Sequence, residues 1–151
     1  MDGAGANDDQ GPDLAALFRG HWFIKRDILD LDSEWLGRLE GHADFADLGG
    51  GALHYREEGR LRFGGLEDVQ ASRDYRWQIH PSGRIDVSFA DGRDFHSFDF
   101  AYGRAEASHF CDPDLYEVAY DFSRWPSWRA EWRVEGPRKD YRMVTIYTRP
   151  E

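Results

Sequence analysis

The sequence predicts an all-β domain, an up-and-down antiparallel β-barrel of about 8 to 10 strands with a short N-terminal helix. Three observations carry this. From about residue 20 onward, apolar and polar side chains alternate with period two, the repeat of a half-buried strand. The runs are separated by short turn-like segments, "HPSGR", "ADGR", "AYGR", "DPD" and "EGPRKD", so sequence neighbours should pair as a meander. A sheet of that many strands in 151 residues must split into a sandwich or close, and closure removes its exposed edges.

The elements follow in order. Residues 1–12, beginning "MDGAGANDDQ", read as a disordered leader ahead of a single β-barrel domain over 13–151. Pro12 and Asp13 can start a short helix through "DLAALF", which sets Leu14, Leu17 and Phe18 on one side. "DSEWLGRLE", residues 32–40, is a candidate for another turn or two of helix, weakened by Gly37. Strands are expected at 21–28, 40–47, 52–58, 69–79, 84–90, 94–101, 105–111, 115–122, 128–135 and 141–149.

Composition narrows the function. Lys and Arg total 19 against 29 Asp and Glu, a net charge of −10, which disfavours nucleic-acid phosphates and anionic membrane surfaces as partners. Aromatic residues make up 15% of the chain, more than a disordered segment carries. No apolar run approaches the roughly 20 residues of a membrane span. The acidic, Gly-rich start lacks the basic and apolar segments of a signal peptide, so a soluble cytoplasmic protein is expected. Cys111, the single cysteine, excludes an internal disulfide or a multi-cysteine metal site within one chain, and reads as a small buried filler rather than a nucleophile.

Phase along the strands separates inside from outside. In 128–135, Ala130, Trp132 and Val134 oppose Arg129, Glu131, Arg133 and Glu135, so the first set is interior. The same logic places Tyr116, Val118, Tyr120 and Phe122 inside, and likewise Ile85, Val87 and Phe89. Arg73 falls in the apolar phase of Ala71, Tyr75, Trp77 and Ile79. Arg26 falls in that of Trp22, Ile24 and Ile28, and Glu57 in that of Leu53 and Tyr55. Because an unpaired buried charge is costly, these three should pair with one another or face a wet cavity.

A turn at 101–104 would set His96 opposite His109 across a hairpin, with Phe98, Phe100, Ala107 and Cys111 in the same inward phase. That is more inward polarity than a dry barrel needs, and a polar-lined cavity with aromatic walls accounts for it. Arg26 and Arg73 suit a carboxylate or phosphate, while Tyr55, Tyr75, Trp77, Phe98, Tyr116, Tyr120 and Trp132 suit a flat or apolar body. The expected function is binding of a small-molecule ligand, anionic and partly aromatic. The alternative is a cofactor-independent enzyme, an isomerase, cyclase, lyase or decarboxylase, with Glu57, His96 and His109 as its proton-moving catalytic groups and Arg73 as anion clamp.

No cofactor is expected. Zinc or haem iron at His96 and His109 is a lesser alternative without a local motif such as H-E-x-x-H. "GGG" at 49–51 lacks the strand-to-helix setting of a phosphate loop, and "DILDLD" at 27–32 lacks the glycine of a calcium loop. A protein-interaction module using the outer sheet has only the acidic surface in its favour.

The segments "GHWFIKRDI", "LHYREEG", "DYRW", "FADGRDFHSFDF", "HFCDPDLYEVAYDF" and "WRVEGPRKDYRMVTIYTR" together resemble the uncharacterised family catalogued as domain of unknown function 6314. The resemblance runs from residue 14 to 149 and implies no activity. More distantly, a short helix followed by Gly20, His21 and Trp22, with Arg149 ending the last strand, is similar to lipocalins and the wider calycin barrels. That resemblance implies a small-ligand barrel closed at one end by a tryptophan and a late arginine.

Overall fold

In the computed structural model, which describes residues 13–65, 68–100 and 103–150, ten strands form one antiparallel sheet. Helix α1 (Ala15–Phe18) precedes β1 (Gly20–Leu29), β2 (Trp35–Gly49), β3 (Ala52–Phe63), β4 (Val69–Ile79) and β5 (Arg84–Phe89). Then follow β6 (Asp94–Asp99), β7 (Arg104–Cys111), β8 (Asp114–Asp121), β9 (Trp128–Glu135) and β10 (Asp140–Thr148). The order across the sheet is β6-β5-β4-β3-β2-β1-β10-β9-β8-β7, so β1 pairs with β10 and the sheet curls until its two edges, β6 and β7, lie against each other. This is the up-and-down barrel, behind a short helix, that the alternation and short turns predict. The leader expected at 1–12 and residues 101–102 of the expected turn lie outside the described residues.

One predicted element is corrected. Residues 35–40 are strand, not helix, and Leu39 is thereby buried in register with Leu61. Gly37 marks a close approach there, since a Cβ at 37 would stand 2.6 Å from the Arg62 carbonyl oxygen. A second close approach pairs Gly41 with Gly59 on the inner face, where a Cβ at 59 would stand 2.6 Å from the Glu40 carbonyl oxygen. Two glycines facing each other let β2 and β3, the two longest strands, bend sharply enough to wrap the barrel.

One end is closed. Phe18, fully buried, packs edge-on against Phe100, Phe122, Trp125 and Trp128, and Trp22 Nε1 donates to the Phe18 carbonyl at 2.8 Å. The Arg149 guanidinium lies 3.8 Å over the Trp22 ring and donates to the carbonyls of Leu17 (2.6 Å) and Arg19 (2.8 Å). These carbonyls belong to the last turn of α1 and its exit, where helical partners run out, so the cation satisfies them and pins the helix across the barrel floor. The opposite, open end is ringed by the ends of the strands at Leu29, Trp35, Phe63, Val69, Phe89, Asp94, Cys111, Asp114, Glu135 and Asp140.

Candidate functional site

Arg26, on the inner face of β1, is 7% exposed and Glu57, on β3, is 3% exposed. They meet in a two-pronged pair: Nη1 donates to Oε2 at 2.7 Å and Nη2 to Oε1 at 2.9 Å. Arg26 Nε donates to Thr145 Oγ1 at 2.7 Å, and the Tyr55 hydroxyl donates to Glu57 Oε1 at 2.6 Å. Tyr55 also shares a 2.8 Å bond with the Tyr147 hydroxyl. Burial by itself would push the Glu57 carboxyl up, but the charge and hydrogen bonds of Arg26, the charge of Arg73 and the Tyr55 hydroxyl outweigh it, and its pKa lies below the ordinary value. Burial likewise opposes the Arg26 charge and Glu57 restores it, so both stay ionised. Burial pushes the Tyr147 hydroxyl up to about 12.

Arg73 is held differently. Its Nε lies 3.5 Å from Glu57 Oε2 and its Nη1 donates to the Tyr75 hydroxyl at 3.4 Å, with half of its side chain exposed. Glu57 thus gives its short, strong bonds to Arg26 and Tyr55, and Arg73 keeps donors to spare.

The expected His96–His109 ladder pair does not form. His96 is in register with Val87 and His109 with Tyr116, and their strands are the two edges of the sheet. The cause is a β-bulge: Val87 pairs with His96 but Ser88 pairs with Asp94, so Phe95 is the extra residue. The bulge turns both Phe95 and His96 inward and breaks the strict alternation on which the hairpin inference rested. The two histidines face each other across the seam through Phe95, whose ring centroid is 4.5 Å from that of His96 and 5.3 Å from that of His109. Phe95 also stacks on Phe89 and Trp132. Cys111, expected to be a buried filler, is exposed at the end of β7, beyond the point where the barrel wall encloses side chains.

His96 Nε2 lies 2.8 Å from the Tyr120 hydroxyl, while its Nδ1 is buried and has no partner among the described residues. Burial, then the neighbouring His109, lowers the His96 pKa to about 3, so the imidazole is neutral at physiological pH.

These groups surround a cavity of about 80 Å³. Of the residues singled out in the sequence, Arg26, Tyr55, Glu57, Arg73 and Tyr75 line it. Trp77, His96, Tyr116, Tyr120 and Trp132 line it as well. Phe98 sits a layer deeper, stacked on Tyr120 at 4.2 Å between centroids, and His109 lies behind Phe95. Sequence reasoning missed Phe95, Met143 and Tyr147. The bulge hid Phe95. In "YRMVTIYT" both phases are apolar, with Val144 and Ile146 outward, so alternation does not separate Met143 and Tyr147 from the outer face. Among the described residues, no group of three or more His, Cys, Asp or Glu is placed to hold a metal ion.

A family model described as Family of unknown function (DUF6314) matches residues 18–149. No curated protein matches the chain. Among solved structures, the chain is similar to the S-type phycobiliprotein lyase CPES from Guillardia theta, with 9% identity and a TM-score of 0.60 over 91% of this chain and 90% of that one. It is also similar to EF1p2_mFAP2b bound to DFHBI, with 9% identity and a TM-score of 0.50 over 90% of this chain and 96% of that one. Fatty-acid-binding protein 1 of Echinococcus granulosus matches at 12% identity and a TM-score of 0.44, over 90% and 99%. At these identities the first two likenesses show the barrel fold alone.

Proposed function

This chain belongs to the family of unknown function DUF6314, which supplies no activity to test against the site, and we propose from the site itself that the barrel binds a small aromatic anion. The observation that carries this reading is the charge balance of the lumen. Two arginines face one glutamate, the glutamate is consumed by Arg26 and Tyr55, and Arg73 lines an aromatic cavity with its strong hydrogen bonds unmade. A carboxylate or phosphate completes Arg73, and the faces of Tyr75, Phe95 and Trp132 take the ring.

A cavity of about 80 Å³ holds two or three waters at about 30 Å³ each, well short of the roughly 300 Å³ at the low end of ligand pockets. Binding therefore displaces a side chain. Phe95 is the one best placed to move, being the unpaired residue of a bulge on a strand that is hydrogen-bonded on one side only.

The network supports binding over proton transfer. Glu57 is held ionised and fully bonded, and His96 is held neutral, so neither carries a proton with an affinity matched to neutral pH. The test is an NMR titration with 3-phenylpropanoate on the wild type and on Arg73→Gln. Saturable shifts of lumen residues are expected, weakened about tenfold or more in the variant, as loss of one charge-assisted hydrogen bond requires. Equal affinity in both proteins, or no binding to the wild type, overturns the reading.

A further inference from the structure

Three features play no part in holding the anion: the apolar side chains exposed around Trp35 and Phe63 at the open end, the outward His–Asp pairs, and the buried, unpartnered Nδ1 of His96, a residue that lines the cavity. Nothing in the structure says what would cover the first, and the second are satisfied within themselves. The third leads to a ligand.

Hydrogen-bond accounting assigns the His96 proton. A neutral imidazole has one N–H donor and one bare nitrogen, and a phenol hydroxyl must donate to be satisfied. Tyr120 and His96 share one 2.8 Å bond, and neither Tyr120 Oη nor His96 Nδ1 has a further polar partner among the described residues. If Nε2–H donated to the tyrosine oxygen, two groups would be left unmade, the phenol O–H and the bare Nδ1. If the phenol donates to Nε2, only one is left, the Nδ1–H. The second arrangement leaves fewer protein groups unmade, and it would place a lone N–H donor in a residue that lines the lumen. Trp128 Nε1 is also a buried donor without a partner among the described residues, but Trp128 is not among the residues lining the cavity.

Resting on the functional reading above, we propose that His96 is the specificity residue of the lumen: its Nδ1–H donates to a neutral acceptor atom at the inner end of the ligand, opposite the anionic group held by Arg73. The ligand class is thus an aromatic acid with a carbonyl oxygen or ring nitrogen at its far end. Its orientation follows from strand direction. Strand β6 enters the barrel wall from the open end at Asp94, so His96 lies deeper than Phe95, while Arg73 is half exposed to solvent. The acid faces outward and the acceptor goes in first. A cation or a second donor at the inner end is excluded, because it would meet an N–H with no lone pair.

Two measurements test this. Two-bond ¹H–¹⁵N spectra of the wild-type imidazoles should show His96 protonated at Nδ1 and bare at Nε2 at neutral pH; the opposite tautomer overturns the proposal without reference to any ligand. The second compares 3-(pyridin-4-yl)propanoate with 3-phenylpropanoate, an isosteric pair differing by one ring nitrogen. The ratio of their affinities should favour the pyridyl acid about tenfold more in the wild type than in His96→Phe. Tyr120→Phe, which leaves Nε2 free and removes the bond that fixes the tautomer, should narrow the ratio in the same direction and serves if His96→Phe does not fold. An unchanged ratio with both acids still dependent on Arg73 overturns the His96 assignment and leaves the functional reading standing. Failure of both acids to bind the wild type overturns both.

Discussion

Replacing Glu57 by Gln removes the one buried negative charge among the described residues while keeping the side chain's size. Both Arg26 and Glu57 are under a tenth exposed, and Arg26 makes two of its three hydrogen bonds to this carboxylate. The variant leaves the Arg26 guanidinium buried with no counter-charge, and breaking a buried pair from one side costs about 3 to 5 kcal/mol. For a domain of this size about 3 °C is lost per kcal/mol, so the melting temperature should fall by roughly 10 to 15 °C. The assay is thermal and urea unfolding at pH 7, with an unchanged m-value to show that the folded and unfolded states stay comparable.

The pH dependence has a definite sign. The folded-state pKa of Glu57 lies below its ordinary 4.5, so its contribution is complete above that value and is lost as pH falls through the folded pKa. The gap between wild type and variant should be full at pH 7 and close as pH drops below 4.5. The double variant Arg26→Met with Glu57→Leu should be milder than Glu57→Gln, because it leaves no charge behind. A loss under about 1 kcal/mol for the single variant, or a gap that persists unchanged at pH 3, would refute the buried pair as the origin of the effect.

Two further outcomes are expected. The unfolded His96 titrates near 6.5 and the folded one near 3, so the unfolded state takes up the proton first and the wild type loses about 1.4 kcal/mol per pH unit from this group as pH falls below 6.5. His96→Phe should flatten that part of the slope in urea unfolding between pH 7 and 4; parallel slopes would show that the imidazole is not held neutral by burial. Arg149→Met should cost about 2 to 3 kcal/mol, from the lost stacking on Trp22 and the two carbonyl bonds. Hydrogen exchange should report it first in residues 15–19, and wild-type protection there would show that the arginine does not pin the helix.

Inward and outward faces are legible in the amino-acid sequence wherever one phase of a strand is apolar and the other charged. That is why β4 and β9 have the predicted bounds, and why alternation alone assigns Arg26, Glu57 and Arg73 to the lumen that they line. The closed end is reached only through the likeness of Trp22 and Arg149 to calycin barrels, and the structure places Arg149 over the Trp22 ring there.

Three other features arise only when the strands come together. The seam lies between β6 and β7, because closure by β1 with β10 leaves those strands as the edges, and no local pattern records which pair stays open. Phe95 enters the lumen because a bulge adds one residue between two ladder pairs, which shifts the phase without changing the composition. The division of labour between the two lumen arginines depends on which of them reaches Glu57 with both prongs. Alternation is a property of one strand, whereas hydrogen-bond partners in the lumen come from strands brought together around the barrel, as Arg26 and Thr145 do from 119 residues apart.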